Sequence, residues 1–341
     1  VSPALLRAIN KGEQPMDFEK PGRKARLAQL GFLARHTFTI VGRNRALLGP
    51  LIVMWIYAAA MIVLFFTGLF LAFYESGNST WFLIAGALMF IYKFFFYNRA
   101  ELTLSRLTYG TAIGGSPTRG EARREIADLK PQIRTLGLLD MAAAWVASRK
   151  NKEGGLMALL LGGIVEVWDL VNHFLLPAFA IDRLGLQDGI AKLKRLKDHV
   201  PEALVGVFGI DIMGGVIGTL MAPVYLLGAL AGIACGLFLG GHMPGAFSAG
   251  TLSEISRDMP QLGPIGPDTV FNWLPVFVIV FLGVLLHALM ARAVTAIKVV
   301  YFTLFYTRIM HAEDLAPDMR ADLEAYLDLD EGEMADSPAP V

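Results

Sequence analysis

The chain has a single cysteine, Cys235, in 341 residues. That excludes an internal disulfide and any cysteine-based metal centre. Charge is also scarce: Lys, Arg, Asp and Glu make up 18% of the residues, against about a quarter in soluble domains. The sequence contains no G-x-G-x-x-G, no Walker lysine, no G-x-S-x-G and no H-E-x-x-H, the spacings that would announce nucleotide, acyl-transfer or zinc chemistry. The polar stretches are too short to bury a catalytic core. A folded basic surface with aromatic readers, the requirement for nucleic acid, is missing too. The expectation is a non-enzymatic protein with no cofactor, no metal and no nucleic-acid partner.

What the chain has is apolar side chain in long runs. Hydrophobic residues are 55% of the total, and mean hydropathy is +0.51. Residues 49–73, GPLIVMWIYAAAMIVLFFTGLFLAF, hold no charge over 25 positions, enough to cross a hydrocarbon layer of about 30 Å. Further spans are expected at 80–97, 203–241 and 273–308. The fold class is all-α: a polytopic membrane protein with four to six membrane segments.

Charge in the connecting loops sets the expected orientation. Residues 1–45 carry nine Lys or Arg against three acids, residues 98–153 carry ten Lys or Arg, and the tail 311–341 carries ten acids and one Arg. The charge rule puts the basic lead-in 1–45, segment 98–153 and the acidic tail on the cytoplasmic side of a prokaryotic inner membrane, flanking a membrane domain of residues 46–310. The stretch 155–181 is long enough for one crossing, yet basic residues follow it. The conflict is relieved if 131–181 forms a re-entrant or interfacial hairpin, whose polar groups must then be surrounded by protein or trapped water.

Gly228, Gly232, Gly236 and Gly240 recur every fourth residue in GALAGIACGLFLG. In a water-soluble helix each would cost roughly 1 kcal/mol relative to alanine. In lipid, such a bare face permits close helix approach. Gly214 and Gly218 extend the same small-residue spacing. Two partners suit the face: the chain's own helices, or another copy in a homo-oligomer.

Several ionisable groups fall inside apolar runs, where they are expensive and often functional. Glu166, Asp169 and His173 share one helix face. They suit an interfacial or ion-paired role, a polar pathway, or, given further ligands, a metal. Asp211 lies among glycines, with His287 and Arg292 as candidate partners, either clamping two helices or carrying protons or ions. The helix GIAKLKRLKDHV presents Lys192, Lys194, Arg195 and Lys197 beside an apolar face. It could rest on anionic lipid headgroups or pack on the bundle.

The order of segments is also familiar. A basic amphipathic lead-in (GFLARHTFTIVGRNRALLGPLI) precedes an aromatic span ending FFFYNRAEL, then GGSPTRGEARREIADLKPQI. Next comes a run with Trp168, Pro177, Asp182, Leu184 and Gly185 ahead of the basic helix 188–197, and ALMARAVTAIKVVYFTLFYTRIM closes the series. Over about residues 30–310 this resembles an uncharacterised family of prokaryotic multi-pass membrane proteins, similar in layout to the membrane domains attached to some glycerophosphodiesterases. The resemblance implies a fold but no reaction. This chain departs from that pattern at Asp169 and His173, where the family has small or apolar residues. The functional expectation is an oligomeric assembly or scaffold component packed through the glycine helix. A channel or transporter with a polar intramembrane pathway is the alternative, and a membrane-embedded enzyme is more remote.

Overall fold

A computed structural model of the chain describes residues 39–150, 168, 171–195, 221–251 and 270–321. These form helices α1 (Leu48–Phe73), α2 (Ser79–Ala112), α3 (Arg119–Ile126), α4 (Lys130–Lys150), α5 (residues 171–182), α6 (Leu186–Arg195), α7 (Met221–Phe238) and α8 (Leu274–Met310). Two short antiparallel strands, β1 (Ser248–Thr251) and β2 (Val270–Asn272), lie between α7 and α8. The chain is an all-α polytopic protein. Four helices, α1, α2, α7 and α8, are long and apolar enough to cross a membrane.

Local chemistry sets where α1 begins. The Asn44 side chain accepts the Ala46 N–H at 2.9 Å, opening the 3-10 turn Arg45–Leu47. Pro50 then sits in the first turn of α1, where its missing N–H goes unmissed. Asn272 does comparable work for α8. Its side-chain oxygen accepts the Leu274 N–H at 3.0 Å, while its amide donates to the Pro244 carbonyl at 3.0 Å. Around this corner Phe247 is buried among Phe70, Phe73, Tyr74 and Phe277. Aromatic clusters of this kind suit a membrane–water boundary.

The helix of the second expected span does not stop at residue 97 but runs on to Ala112. At 1.5 Å per residue it reaches roughly 51 Å, well beyond a ~30 Å hydrocarbon layer. Burial divides it in two. From Ser79 to Phe96 only Gly86 is buried, whereas most residues from Tyr97 to Ala112 are. In α8 the buried residues are likewise confined to Ala296–Thr307. Exposed apolar side chains thus cover one part of the bundle, as lipid requires. The other part, here called the charged end, buries most of its residues against neighbouring elements.

Within the membrane part, α1 and α2 approach through Gly68 and Gly86. A Cβ on Gly68 would lie 2.8 Å from the Leu83 side chain, and one on Gly86 would lie 3.3 Å from the Phe65 Cα. Hydrogen bonds pin α1 to both α2 and α8. Tyr57 donates to the Met89 carbonyl at 2.8 Å, and the Trp55 indole donates to Leu289 on α8 at 2.8 Å.

Both halves of the expected hairpin over 131–181 are helical where described, as α4 and α5. Leu175, Leu176 and Phe179 of α5 are fully buried against the charged end's core. The acidic segment after α8 is docked at its start. Leu315 and Met319 are buried, and the Ala316 N–H donates to the Ala112 carbonyl at 3.1 Å. Arg43, just before α1, pairs with Asp318 at 2.7 Å, so the basic and acidic flanks of the membrane domain meet.

Candidate functional site

The polar chemistry of the described residues gathers at the charged end, with the second half of α2 as its post. Successive turns of α2 face different neighbours. Asn98 donates to Asp140 of α4 at 2.5 Å. Glu101, buried, lies 3.9 Å from the Arg292 guanidinium of α8, which also sits 4.5 Å from the Tyr97 ring centre. The hydroxyls of Ser105 and Thr303 of α8 are hydrogen-bonded at 2.8 Å. Arg106 pairs with Glu125 of α3. Tyr109 donates to Asp314 at 2.9 Å, and Thr111 accepts from Asn44 at 3.1 Å.

Asp182, at the end of α5, is a carboxylate with three side-chain partners. Lys192 of α6 and the Tyr306 hydroxyl of α8 both donate to it, and the His311 Nε2 stands 2.8 Å away. His311 turns its Nδ1 to Asp314 at 3.3 Å. Partial burial pushes the Asp182 carboxyl up. The hydrogen bonds from Lys192 and Tyr306, with the charges of Lys192 and His311, outweigh that and hold it below the usual carboxylate range. Three side chains from outside α5 therefore converge on one ionised group.

Asp140 is held differently. It accepts from the Trp168 indole at 2.9 Å and the Asn172 amide at 3.2 Å on one oxygen, and from Asn98 on the other. The hydroxyls between α2 and α8 are satisfied mostly within their own helices. Thr103, Thr108, Thr111, Thr303 and Thr307 each donate to the carbonyl four residues back, at 2.7–2.9 Å, a local pattern that makes polar side chains compatible with a packed seam. Ser105→Ala should accordingly cost about 1 kcal/mol or less, because Thr303 keeps its bond to Val299. A thermal melt of the purified variant checks this.

The sequence-selected residues fall in different places. Arg292 belongs to the charged end, but its partner is Glu101. His287 is exposed on α8. His173 is buried, its ring centre 5.3 Å from that of Phe302. Lys192 pairs with Asp182. Lys194 and Arg195 lie on α6, with their side chains outside the described residues. Glu166, Asp169, Lys197, Asp211, Gly214 and Gly218 lie outside the described residues altogether. Among the described residues no cluster of His, Cys, Asp and Glu suits a metal ion.

The glycine face points at the chain itself. A Cβ on Gly228 would meet Ile279 at 3.2 Å, and one on Gly232 would meet the same residue at 2.9 Å. One on Gly236 would come 2.5 Å from the Asn272 carbonyl oxygen, and one on Gly240 would collide with that of Val270. The face is filled by α8 and the strand leading into it. Sequence reasoning missed Glu101, Asp140, Asp182, Tyr306 and His311 as members of a polar centre. The usable signal was depth: Glu101 and Arg292 both stand roughly 27–33 Å along helices that start at the same membrane face, opposite charges at one level. No protein family, curated protein or solved structure matches the chain.

Proposed function

We propose that this protein is a non-enzymatic integral membrane component that serves assembly: it holds a rigid charged end at one membrane face as a platform for another copy or for a partner protein. The observation that carries the reading is the set of ties radiating from the second half of α2. They reach α3, α4 and α8, and the carboxylates Asp140, Asp182 and Glu101 are all engaged by side chains from other helices. Charges committed to cross-links stiffen a structure. A path for solute or protons would instead set them against water.

The glycine face takes part by fixing α7 to α8, so association would use outward surfaces such as Leu226, Leu227 and Leu230 of α7, all exposed. A channel or transporter is the competing reading. The helix-internal bonding of the threonine hydroxyls favours a packed seam over a wet one. In this proposal the charged end lies in the cytoplasm, following the distribution of Lys and Arg.

The test is the mass of the purified particle. Light scattering in nanodiscs should report a multiple of the 37.2 kDa chain, or a stoichiometric membrane partner retained through purification. A bare monomer at every detergent and lipid condition, together with ion or proton flux above that of empty liposomes, would reverse the order of the two readings.

A further inference from the structure

A cleft of about 310 Å³ opens between the start of α1, the middle of α2 and α3. Three arginines line it, Arg99 from α2 and Arg119 and Arg123 from α3, together with Tyr57, Tyr92 and Phe96. All three arginines are exposed. Among the described residues none is paired with a carboxylate, unlike Arg43, Arg106 and Arg292. Three guanidiniums around one small space, with no carboxylate paired to any of them, form a positively charged recess that favours an anion.

The cleft is built rather than incidental. Arg119 and Arg123 are one turn apart on α3, so both extend from the same side of that helix. The start of α3 is fixed by a capping box in which Thr118 and Glu121 satisfy each other's backbone N–H. The stem of Arg119 lies across Gly49, where a Cβ would come 2.7 Å from its Cδ. Gly49 is therefore the seat that admits this side chain. On the other wall Tyr57 stacks on Phe96 with ring centres 4.1 Å apart, and its hydroxyl is tied to Met89. Neither ring is free to swing into the space.

Depth identifies the anion. Arg99 stands 20 residues beyond Ser79 on α2, roughly 30 Å along the helix and level with the polar boundary of a bilayer. Tyr92 is seven residues nearer the start, about 10 Å deeper in the apolar layer. One end of the cleft offers guanidiniums at headgroup level, and the other offers aromatic and aliphatic wall at acyl-chain level. A free inorganic anion would use only the first. We infer that the cleft binds a phosphate-bearing anionic phospholipid from the leaflet at the charged end, with Arg99, Arg119 and Arg123 on the phosphate and Tyr57, Tyr92 and Phe96 along the upper acyl chain.

Native mass spectrometry of the delipidated full-length chain tests this, with phosphatidylglycerol, phosphatidylcholine and inorganic phosphate as probes. Wild type should retain phosphatidylglycerol about tenfold more tightly than phosphatidylcholine, and millimolar phosphate should not displace it. The R99Q/R119Q/R123Q variant should lose the preference. Gly49→Ala keeps every charge but pushes the Arg119 stem aside, so it should weaken the preference several-fold. It carries the test alone should the triple variant not fold. Equal retention of the two lipids by wild type, or an unchanged preference in either variant, would overturn the inference. Displacement of the lipid by inorganic phosphate would also overturn it, by assigning the cleft to a soluble anion.

Discussion

Replacing Gly236 with leucine should lower the stability of the individual chain and leave the particle's mass to be decided elsewhere. A single Cβ at that position already comes 2.5 Å from the Asn272 carbonyl oxygen and 2.9 Å from the Phe271 ring. Carbonyl oxygen is part of the backbone and cannot rotate away, so α7 must separate from α8 to admit the larger group. Overpacking of this kind costs about 3 kcal/mol. Here the displaced backbone also holds Asn272, whose side chain caps α8 and anchors Pro244. The measurement is an apparent melting temperature in detergent or nanodiscs, beside Leu227→Ala on the outward face of α7, which should change little. An unaltered melting temperature with a smaller particle would put the glycine face between copies, against the geometry described above.

The second large effect is expected at Asp182. Asp182→Asn keeps the shape but removes the charge that Lys192, Tyr306 and His311 converge on, leaving a partly buried ammonium without its counter-ion. Breaking such a pair by removing one partner costs about 3 kcal/mol. The effect has a pH signature. The folded chain holds the Asp182 carboxyl below its ordinary range, so its contribution is fully present above the unfolded value of about 3.9. It is lost as pH falls through the lower folded value. The gap in melting temperature between wild type and Asp182→Asn should therefore be wide at neutral pH and close as pH drops below about 4. A gap that stayed constant across that range would mean the charge is not what stabilises the site.

The membrane helices were legible because lipid demands the simplest of all patterns, a long run without charge. The expected spans 49–73 and 273–308 differ from α1 and α8 by at most a residue or two at each end. The second half of α2 was not legible for the opposite reason. Its sequence, NRAELTLSRLTYGTA, mixes charge, hydroxyl and leucine without an apolar stripe. It reads as a soluble segment until the neighbours that cover each side are known. The glycine spacing announced a close contact but not its owner, since α8 of the same chain and a helix of another copy impose the same steric demand. Asp182 illustrates the limit best. Lys192 is ten residues away on the next helix, yet Tyr306 and His311 are 124 and 129 residues away. No local period could connect them.

Because α2 continues unbroken from Ser79 through the lipid-facing zone to Ala112, the bilayer and the network of ties share one stiff rod. Membranes of different thickness impose different tilts on a helix of fixed length. Ten degrees of added lean would carry the far tip of a ~51 Å rod sideways by roughly 9 Å. With α3, α4 and α8 fastened to that tip, such a swing moves them together, as a mast moves its rigging. Bilayer thickness thereby becomes a mechanical input to the charged end.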